Sequence, residues 1–551
     1  MASWSPTISP DAVSENWSTV LLSLRDLRRD VPINYNQYPG IALTPACFAD
    51  GSYTEDRAAC VANLIAIGYR SFLLDLYLDG ESGGWGICPV ADTASSTPTT
   101  TPAAAATASL LPRQSAPAYT CTPSFNATSL LTIFDTWMTG TNTDLGARIL
   151  LLTLSLHPAA TTTTTNSSSS TTLTAPPQPL TSTLKSANIL ADAYTPTQLL
   201  SDRRNLNSSW HDDDTATTNT TYFTTLLAAD DTVSTPDGWP SESYLEFKLR
   251  KRVLITFGNV SAAVSAVYDP AATADNAAIF PAGYIGAPAP YNASTPPQCF
   301  YNPSNISIAA GNSSWAQALT TTTTTNITAL INCGYSTLLN PAVGAANTTA
   351  SLDTRFRDYE AHIRATAAWA WADNQPQNTT GRKPSFRCAA MRVSDGRWFV
   401  ADCNEWRRAA CRVSGQPYDW TLTPTPLPYA SLPPCISTPR TPLENTHLHT
   451  LLLHTSNLPS TDSIWLDLNS LSTDSCWVSG GANASCPYTD GDEGRREVIV
   501  SAVAAVIVLV VFGLMWFAKG ASWRVERSRR RRRRAAKKRV REGVEYEGVP
   551  S

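Results

Sequence analysis

An uncharged apolar segment, Val498–Ala518, constrains the architecture of this chain more than any other feature. Its 21 residues would span roughly 31 Å as a helix, about the thickness of the hydrocarbon core of a bilayer. Trp516 and Phe517 lie near its end, where an aromatic belt is expected. The arginine-rich run 527–541 follows closely. By the positive-inside rule, the sequence predicts a single-pass type I membrane protein whose residues 1–497 are lumenal or extracellular.

Taken separately, these two stretches have other interpretations. An apolar 21-mer can be a buried core helix, and a basic run can be a nuclear-localisation signal or a nucleic-acid patch. Side by side they indicate a membrane anchor whose basic flank contacts anionic lipid. We therefore expect the membrane and an unknown lumenal or extracellular partner as interaction partners, with no direct contact to nucleic acid.

The cysteines agree with an exported ectodomain. All twelve precede the apolar segment, and an even number in an exported region predicts disulfide bonds. No CxxC spacing occurs, so zinc and thioredoxin-like sites are not indicated, and no cofactor or metal site is predicted. Spacing alone leaves the connectivity open. The cysteines are Cys47, Cys60, Cys88, Cys121, Cys299, Cys333, Cys388, Cys403, Cys411, Cys435, Cys476 and Cys486.

Asn-x-Ser/Thr sequons are frequent on the same side of the segment, which is typical of a glycosylated ectodomain. No positively charged, apolar leader opens the sequence, and we expect the true start to lie upstream. The sequon asparagines are Asn16, Asn126, Asn166, Asn207, Asn219, Asn259, Asn292, Asn305, Asn312, Asn326, Asn347, Asn378 and Asn483.

Short apolar strands alternate with amphipathic helices over residues 20–303, which predicts an α/β domain. Helices are expected at 57–70, 129–138 and 243–252, and strands at 71–78, 147–157, 253–257 and 278–286. Two low-complexity inserts, 92–118 and 159–183, interrupt the pattern and are expected to be disordered. Without them the region has the size of a TIM barrel. Residues 1–19 would form an N-terminal segment.

Tryptophan and cysteine dominate from residue 304 onward, and we predict a separate module over 304–415. A Pro-rich juxtamembrane region would occupy 416–497, followed by the transmembrane helix 498–518 and a basic cytoplasmic tail, 519–551.

The stretch 57–80 resembles the second strand of phosphatidylinositol-phospholipase-C-like phosphodiesterase barrels, with Gly68, Arg70 and Asp75 as the matching residues. The resemblance implies a TIM-barrel-like fold. Such enzymes need one group to remove a proton and one to deliver it, and their first strand carries a histidine. The first-strand candidate, 40–48, has none. Asp75 and His157 are the remaining weak catalytic candidates. Pairing of Asp75 with Arg70 or a loop amide, and a structural His157, are the alternatives.

The stretch 369–412 resembles the C-terminal half of a C-type-lectin-like α+β domain. The resemblance implies a Cys388–Cys403 disulfide, with Cys411 bonded to an upstream partner, Cys333. It also implies that the calcium oxygens are missing, because Phe399 and Val400 follow Trp398 where the family has Asn and Asp. Contact with proteins is the expected role of this module.

Together, "RDVPINYNQYPGIALTPACF", "LIAIGYRSFLLDLYLD", "WGICPV", "WAWADNQP" and "GRWFVADCNEWRRAACR" resemble the fungal family called maintenance of telomere capping protein 6. The resemblance implies a type I membrane glycoprotein with a phosphodiesterase-like barrel and an indirect role in telomere capping. We expect a non-enzymatic protein. The alternatives are a lumenal phosphodiesterase-like enzyme and a glycan-binding surface protein.

Overall fold

The computed structural model describes only part of the chain, with gaps between the described ranges. Side chains are not described at 220, 287–288, 316–320, 324–326 and 352–358. The described ranges are 17–90, 119–160, 175–210, 220–285, 287–288, 315–320, 324–340, 352–377, 385–413, 415–456, 458–488 and 527–538.

Helices and strands alternate through the first half of the described chain. The α-helices are α1 Trp17–Arg28, α2 Leu43–Cys47, α3 Ala58–Ile67, α4 Ala127–Gly140, α5 Leu180–Ser186, α6 Pro196–Arg204, α7 Ala262–Ser265, α8 Thr324–Asn332, α9 Leu352–Ala367 and α10 Pro442–His454. The strands are β1 Gly40–Ala42, β2 Ser52–Tyr53, β3 Ser71–Leu78, β4 Trp85–Gly86, β5 Thr120–Cys121, β6 Leu150–Pro158, β7 Leu226–Leu227, β8 Val233–Ser234, β9 Val253–Val260, β10 Ala287–Pro288, β11 Ala316–Thr320, β12 Ser336–Leu339, β13 Phe386–Arg392, β14 Trp398–Asp402, β15 Ala410–Arg412, β16 Trp420–Leu422 and β17 Ser463–Asn469.

The region from β1 to β12 is built on a parallel sheet with strand order β10-β11-β12-β1-β3-β6-β9. The short strand β4 pairs antiparallel with β3. Within the described strands, no pairing joins β9 to β10, so the sheet is an open, partial barrel. The predicted α/β class is confirmed. The sheet also includes β11 and β12, so the domain boundary predicted at 303–304 falls inside it and was placed too early.

Residue patterning explains the central elements. In β3, Phe72, Leu74 and Leu76 point to one face and are buried, because successive side chains of a strand alternate. Phe72 meets Phe134 of α4 edge-on with ring centroids 5.1 Å apart. The helix α3 ends at Gly68, whose φ of 123° suits glycine. The predicted helices and strands at 57–78, 129–138, 147–157 and 253–257 are confirmed within a few residues.

The helix predicted at 243–252 is present as a shorter π-helix, Tyr244–Leu249. Two other local predictions were wrong. Residues 278–285 of the strand predicted at 278–286 contribute only an isolated bridge between Phe280 and Thr256. The Phe280 ring packs between Trp239 and Tyr284. The second insert is shorter than predicted, since α5 begins inside it; its part at 161–174 and the whole insert 92–118 lie outside the described residues.

The cysteine-rich region folds around an antiparallel sheet of order β14-β13-β17. Trp398, at 0% exposure, packs against Trp369 and Trp371 in its core. Because β17 and α10 belong to this core, the predicted juxtamembrane region 416–497 is part of the module through much of its length.

Disulfides link neighbouring elements of the described chain. The predicted Cys388–Cys403 bond is present. The predicted Cys411–Cys333 bond was wrong: Cys411 pairs antiparallel with Ile436, which brings Cys435 next to it. Cys333 is disulfide-bonded as well. The remaining described bonds are Cys47–Cys60, Cys88–Cys121 and Cys476–Cys486.

A buried ion network connects the module to the barrel. Glu444, at the start of α10, is 0% exposed and accepts a hydrogen bond from Arg412 at 2.7 Å. Arg440 donates its backbone N–H to Glu444 and a guanidinium N–H to the Tyr222 hydroxyl, each at 2.8 Å. The Tyr222 hydroxyl in turn donates to Glu444. Since Tyr222 belongs to the barrel core, these charges hold the two parts together.

The chain divides into two compact units, Met1–Cys486 and Pro487–Ser551. In the second unit the structure describes an exposed, arginine-rich helix over 527–538. The predicted transmembrane segment 498–518 lies outside the described residues. Within the ranges that the structure covers, no helix combines the length and the apolar character needed to cross a membrane.

A second buried charge cluster lies at the N-terminal edge of the sheet, just before β6 and β9. Glu242 and Glu246 are 1% and 3% exposed, and one oxygen of each has no hydrogen-bond partner among the described residues. Burial, and then the charge of Glu242, raises the pKa of Glu246 from 4.5 to about 7. The guanidinium groups of Arg25, Arg148 and Arg252 act in the opposite direction.

This cluster predicts a pH-dependent stability. Between pH 4.5 and about 7 the folded chain binds more protons at Glu246 than the unfolded chain does. The free energy of unfolding should therefore fall as pH rises through this window, by on the order of 1–3 kcal/mol. Denaturant titrations at pH 5 and pH 8 check this, and Glu246→Gln should remove most of the difference. Glu360→Gln, at a partly exposed ion pair with Arg364, is the control. If the free energy of unfolding of Glu246→Gln still fell between pH 5 and pH 8 as in the unsubstituted chain, Glu246 would not be the group responsible.

Candidate functional site

The polar face of β3 and β6 meets solvent at the carboxyl ends of the two strands. Their parallel register places Asp75 beside Ser155 and Tyr77 beside His157. Asp75, Tyr77 and His157 are half-buried, whereas the alternate residues of both strands are buried in the core. Active sites of barrel enzymes lie at this edge of the sheet, because the following loops enclose it.

Asp75 and His157 contact each other directly. His157 Nε2 lies 3.0 Å from Asp75 Oδ1, and the side chains are 30% and 21% exposed, respectively. Thr44, in α2, donates its hydroxyl to the other oxygen of Asp75 at 2.5 Å. A carboxylate in this position favours the tautomer with the proton on Nε2, which leaves the Nδ1 lone pair available. The pair can thus hold a ligand group or accept a proton from one.

Tyrosine side chains surround the pair. The Tyr77 ring lies 5.4 Å from the His157 ring, between centroids. Burial raises the pKa of Tyr53 well above its usual range, and Tyr77, Tyr119, Asp75 and Asp50 raise it further. For Tyr77, burial is again the main cause of its raised pKa, followed by Asp75. These hydroxyls therefore stay protonated and can donate hydrogen bonds at neutral pH.

A shallow depression beside Asp75 has a cavity volume of about 10 Å³, room for about one water molecule. It combines apolar walls with a few polar groups. It contains no lysine, arginine or histidine side chain. The lining residues are Leu43, Thr44, Phe48, Tyr53, Leu74, Asp75, Ile87 and Leu130.

Two disulfides fix the walls of this pocket. Cys47 ends α2 directly before Phe48 and is bonded to Cys60 of α3. Cys88 follows Ile87 and is bonded to Cys121 of β5. Since Phe48 and Ile87 both line the pocket, these bonds limit the movement of its walls.

Strand β9 pairs with β6 on the side away from β3 and contacts Ser155 on the polar face. The backbone N–H of Asn259, in β9, donates to Ser155 Oγ at 3.3 Å. A Cβ added at Gly258 would lie 2.7 Å from Ser155 Oγ, so the close approach of β9 requires glycine. Asn259 itself is exposed at the edge of the site.

The structure thus brings together the two candidates that the sequence could only place separately. Asp75 does not pair with Arg70, whose guanidinium donates to the backbone oxygens of Ile65 and Tyr69 at 2.7 and 2.6 Å. The first-strand candidate, 40–48, contributes Thr44 to this site. Sequence reasoning missed Thr44, Tyr53 and Tyr77; only the two-residue spacing of Asp75 and Tyr77 could have signalled a shared face.

In the cysteine-rich module, the residues compared with a lectin calcium site serve the fold. The side-chain oxygen of Gln375 accepts hydrogen bonds from the backbone N–H of Val400 at 3.1 Å and of Gln377 at 3.3 Å. The Trp398 indole donates to Asn445 at 2.9 Å. Across the described residues, no group of three or more His, Cys, Asp and Glu side chains is arranged to hold a metal ion.

Comparisons with known proteins identify relatives of the whole chain. A family model described as the MTC6 partial TIM-barrel domain matches residues 12–355. A protein of Lachancea thermotolerans called "Maintenance of telomere capping protein 6" is 25% identical, covering 92% of this chain and 90% of its own length. Proteins of the same name from Komagataella phaffii and Candida albicans are 22% and 23% identical and cover 91% and 99% of this chain, and 90% and 96% of their own lengths.

Among solved structures, a calcium-dependent phosphoinositol-specific phospholipase C from a Gram-negative Pseudomonas aligns with 62% of this chain and 92% of its own. The TM-score is 0.27 and the sequence identity is 12%. A likeness this weak supports no conclusion about activity.

The Asp75–His157 contact predicts a tautomer that can be measured. In protein labelled with ¹⁵N-histidine, neutral His157 should carry its proton on Nε2. Asp75→Asn should shift the population toward the Nδ1–H form, because the asparagine amide can donate to Nε2. Glu81→Gln, an exposed acid on the following turn, should leave the ¹⁵N shifts unchanged. An Nδ1–H tautomer in the unsubstituted protein would contradict the hydrogen bond described above.

Proposed function

The chain belongs to the maintenance of telomere capping protein 6 family, whose partial TIM-barrel model covers more than half of it, and we propose that it is a non-enzymatic, single-pass type I membrane glycoprotein. Its ectodomain would combine the partial barrel with a C-type-lectin-like module and bind a ligand or partner in the secretory lumen or at the cell surface. The apolar segment 498–518 would anchor it, and the basic tail would lie on anionic lipid in the cytoplasm.

The observation that carries this proposal is the set of disulfides in the unit before the apolar segment. Among the described residues, none of the cysteines is free. Such bonds persist in oxidising compartments and are rare in the cytosol. Four sequon asparagines with described side chains, Asn126, Asn207, Asn259 and Asn483, are all exposed, as glycosylation requires.

A lumenal ectodomain has a consequence for the role in telomere capping that the relatives' name states. Folded behind a membrane, the barrel and the module would have no contact with chromosomal DNA. We therefore infer that any effect of this chain on telomeres is indirect.

Topology and glycosylation can be tested together. In microsomes from cells expressing the full chain, the ectodomain should resist added protease, while a tag after Ser551 should be cleaved. Peptide N-glycosidase F should lower the apparent mass, and each of Asn126→Gln, Asn207→Gln, Asn259→Gln and Asn483→Gln should remove one step of that shift. Asn404→Gln, an exposed asparagine outside any sequon, is the matched control. An unglycosylated, protease-sensitive ectodomain would refute the proposal.

The 3.0 Å contact between His157 and Asp75 favours a second candidate, a hydrolase of the phosphodiesterase type. His157 would act as general base, oriented by Asp75. The geometry of the pocket fits a binding role better than it fits a hydrolase. Phosphoryl transfer needs cationic groups to stabilise the developing charge, and no lysine or arginine lines the pocket. The hydrolase also needs an acid, and no second histidine accompanies His157 among the residues named at this site.

Turnover of bis(p-nitrophenyl) phosphate by the full chain in detergent separates the two candidates. We expect the unsubstituted chain and His157→Gln to show the same background rate. A general base contributes about 10²–10⁴-fold to a rate. A loss of that size in His157→Gln, with unchanged thermal stability, would establish the hydrolase instead.

A further inference from the structure

The helix over residues 527–538, called the tail helix below, carries charge of one sign only. Its 12 residues include seven arginines, two lysines and no acid, and all of them are exposed. Six arginines are consecutive, at 529–534, and at about 100° per residue they cover the whole circumference of the helix. The tail helix therefore has no apolar face to bury, and its attraction to an anionic surface is electrostatic.

Ser528 carries the one hydroxyl group of the tail helix. Its side chain is exposed. Arg527 precedes it and the run 529–534 follows it. An enzyme that recognises basic residues on both sides of an accessible hydroxyl would therefore find both features at this position.

A phosphate on Ser528 would change the electrostatics of the tail helix. Arginines four positions apart, such as Arg529 and Arg533, repel each other and destabilise a helix. Arg531 and Arg532 follow Ser528 by three and four positions, so they lie on its face of the helix. An acidic group placed N-terminal to a base at these spacings forms a favourable ion pair. Phosphorylation would thus pair arginines within the helix that otherwise attract anionic lipid.

The expected effect on lipid contact follows from the charge. The tail helix has a formal charge of +9, from seven arginines and two lysines. A phosphate adds about two negative charges. Since each basic residue contributes to attraction near an anionic surface, cancelling two of them should lower the ratio of lipid-bound to free tail roughly 10–30-fold.

We propose that Ser528 is a phosphorylation site and that its phosphorylation releases the tail helix from anionic lipid. A kinase would transfer the γ-phosphoryl group of ATP to Ser528 Oγ. The new P–O bond forms as the bond to the β-phosphate oxygen breaks, ADP leaves, and the hydroxyl proton passes to the catalytic base of the kinase. The proposal rests on the proposed function, because ATP and kinases reach the tail helix only if it is cytoplasmic.

Phosphate incorporation tests the site. The full chain, in intact microsomes and then in detergent, is incubated with γ-labelled ATP and the catalytic fragment of protein kinase C, which prefers basic substrates. We expect label on the tail in both preparations, lost in Ser528→Ala and kept in Ser522→Ala, the preceding serine of the tail. Label that Ser528→Ala leaves unchanged, or an unlabelled tail in detergent, would overturn the proposal.

This measurement also separates the site from the topology. Label on Ser528 in detergent but not in intact microsomes would refute the proposed topology, while the site itself would stand. A tail that added protease cleaves in microsomes but that the kinase leaves unlabelled would do the reverse.

Release from lipid is measured on the full chain in nanodiscs. An environment-sensitive dye is attached through Ala536→Cys, since none of the described cysteines is free to react. Phosphatidylserine should change the emission relative to phosphatidylcholine alone, and salt should reverse the change because it screens the charges. After kinase treatment the emission should return at lower salt, and Ser528→Ala should not respond. Equal salt midpoints before and after phosphorylation of the chain that retains Ser528 would overturn the proposed release.

Discussion

The uninterrupted parallel register between β3 and β6 is the constraint on which the rest of this structure depends. Eight consecutive residues of β3 pair with residues of β6 without a bulge. A slip of one residue would exchange the faces of the whole strand. If β3 slipped, Asp75 would point into the core, away from His157, and Leu74 would point to solvent. The apolar packing beneath the helices therefore fixes the position of the polar groups above.

The two ends of the sheet use buried charge differently. At the amino-terminal edge, Glu242 and Glu246 are buried among arginines and affect stability. At the carboxyl edge, Asp75 is partly exposed and is hydrogen-bonded to Thr44 and His157. Barrels commonly divide the two tasks in this way, because only the carboxyl edge is surrounded by long loops. Glu444 adds a third use, since it ties the cysteine-rich module to the barrel with two arginines.

The features that could be predicted from the sequence are those that depend on local residue patterns. The alternation in β3 and the helical spacing of α3 sufficed for the α/β class, and the sequence motifs sufficed for the family. Long-range pairings were out of reach. The proximity of Asp75 to His157 follows from strand order, and the Cys411–Cys435 bond from an isolated bridge, neither of which periodicity encodes. The early boundary at 303–304 arose because cysteine and tryptophan content changes before the parallel sheet ends.

The Cys88–Cys121 disulfide allows the segment between its two cysteines to change in length during evolution without changing the fold. Its two α-carbons lie 6.2 Å apart, although 33 positions separate them in the chain. The entropy of closing a loop grows only with the logarithm of its length. Codons for threonine, alanine and proline can therefore accumulate or disappear between these cysteines at little energetic cost. Related genes should differ widely in length here while the residues on either side of the bond stay aligned.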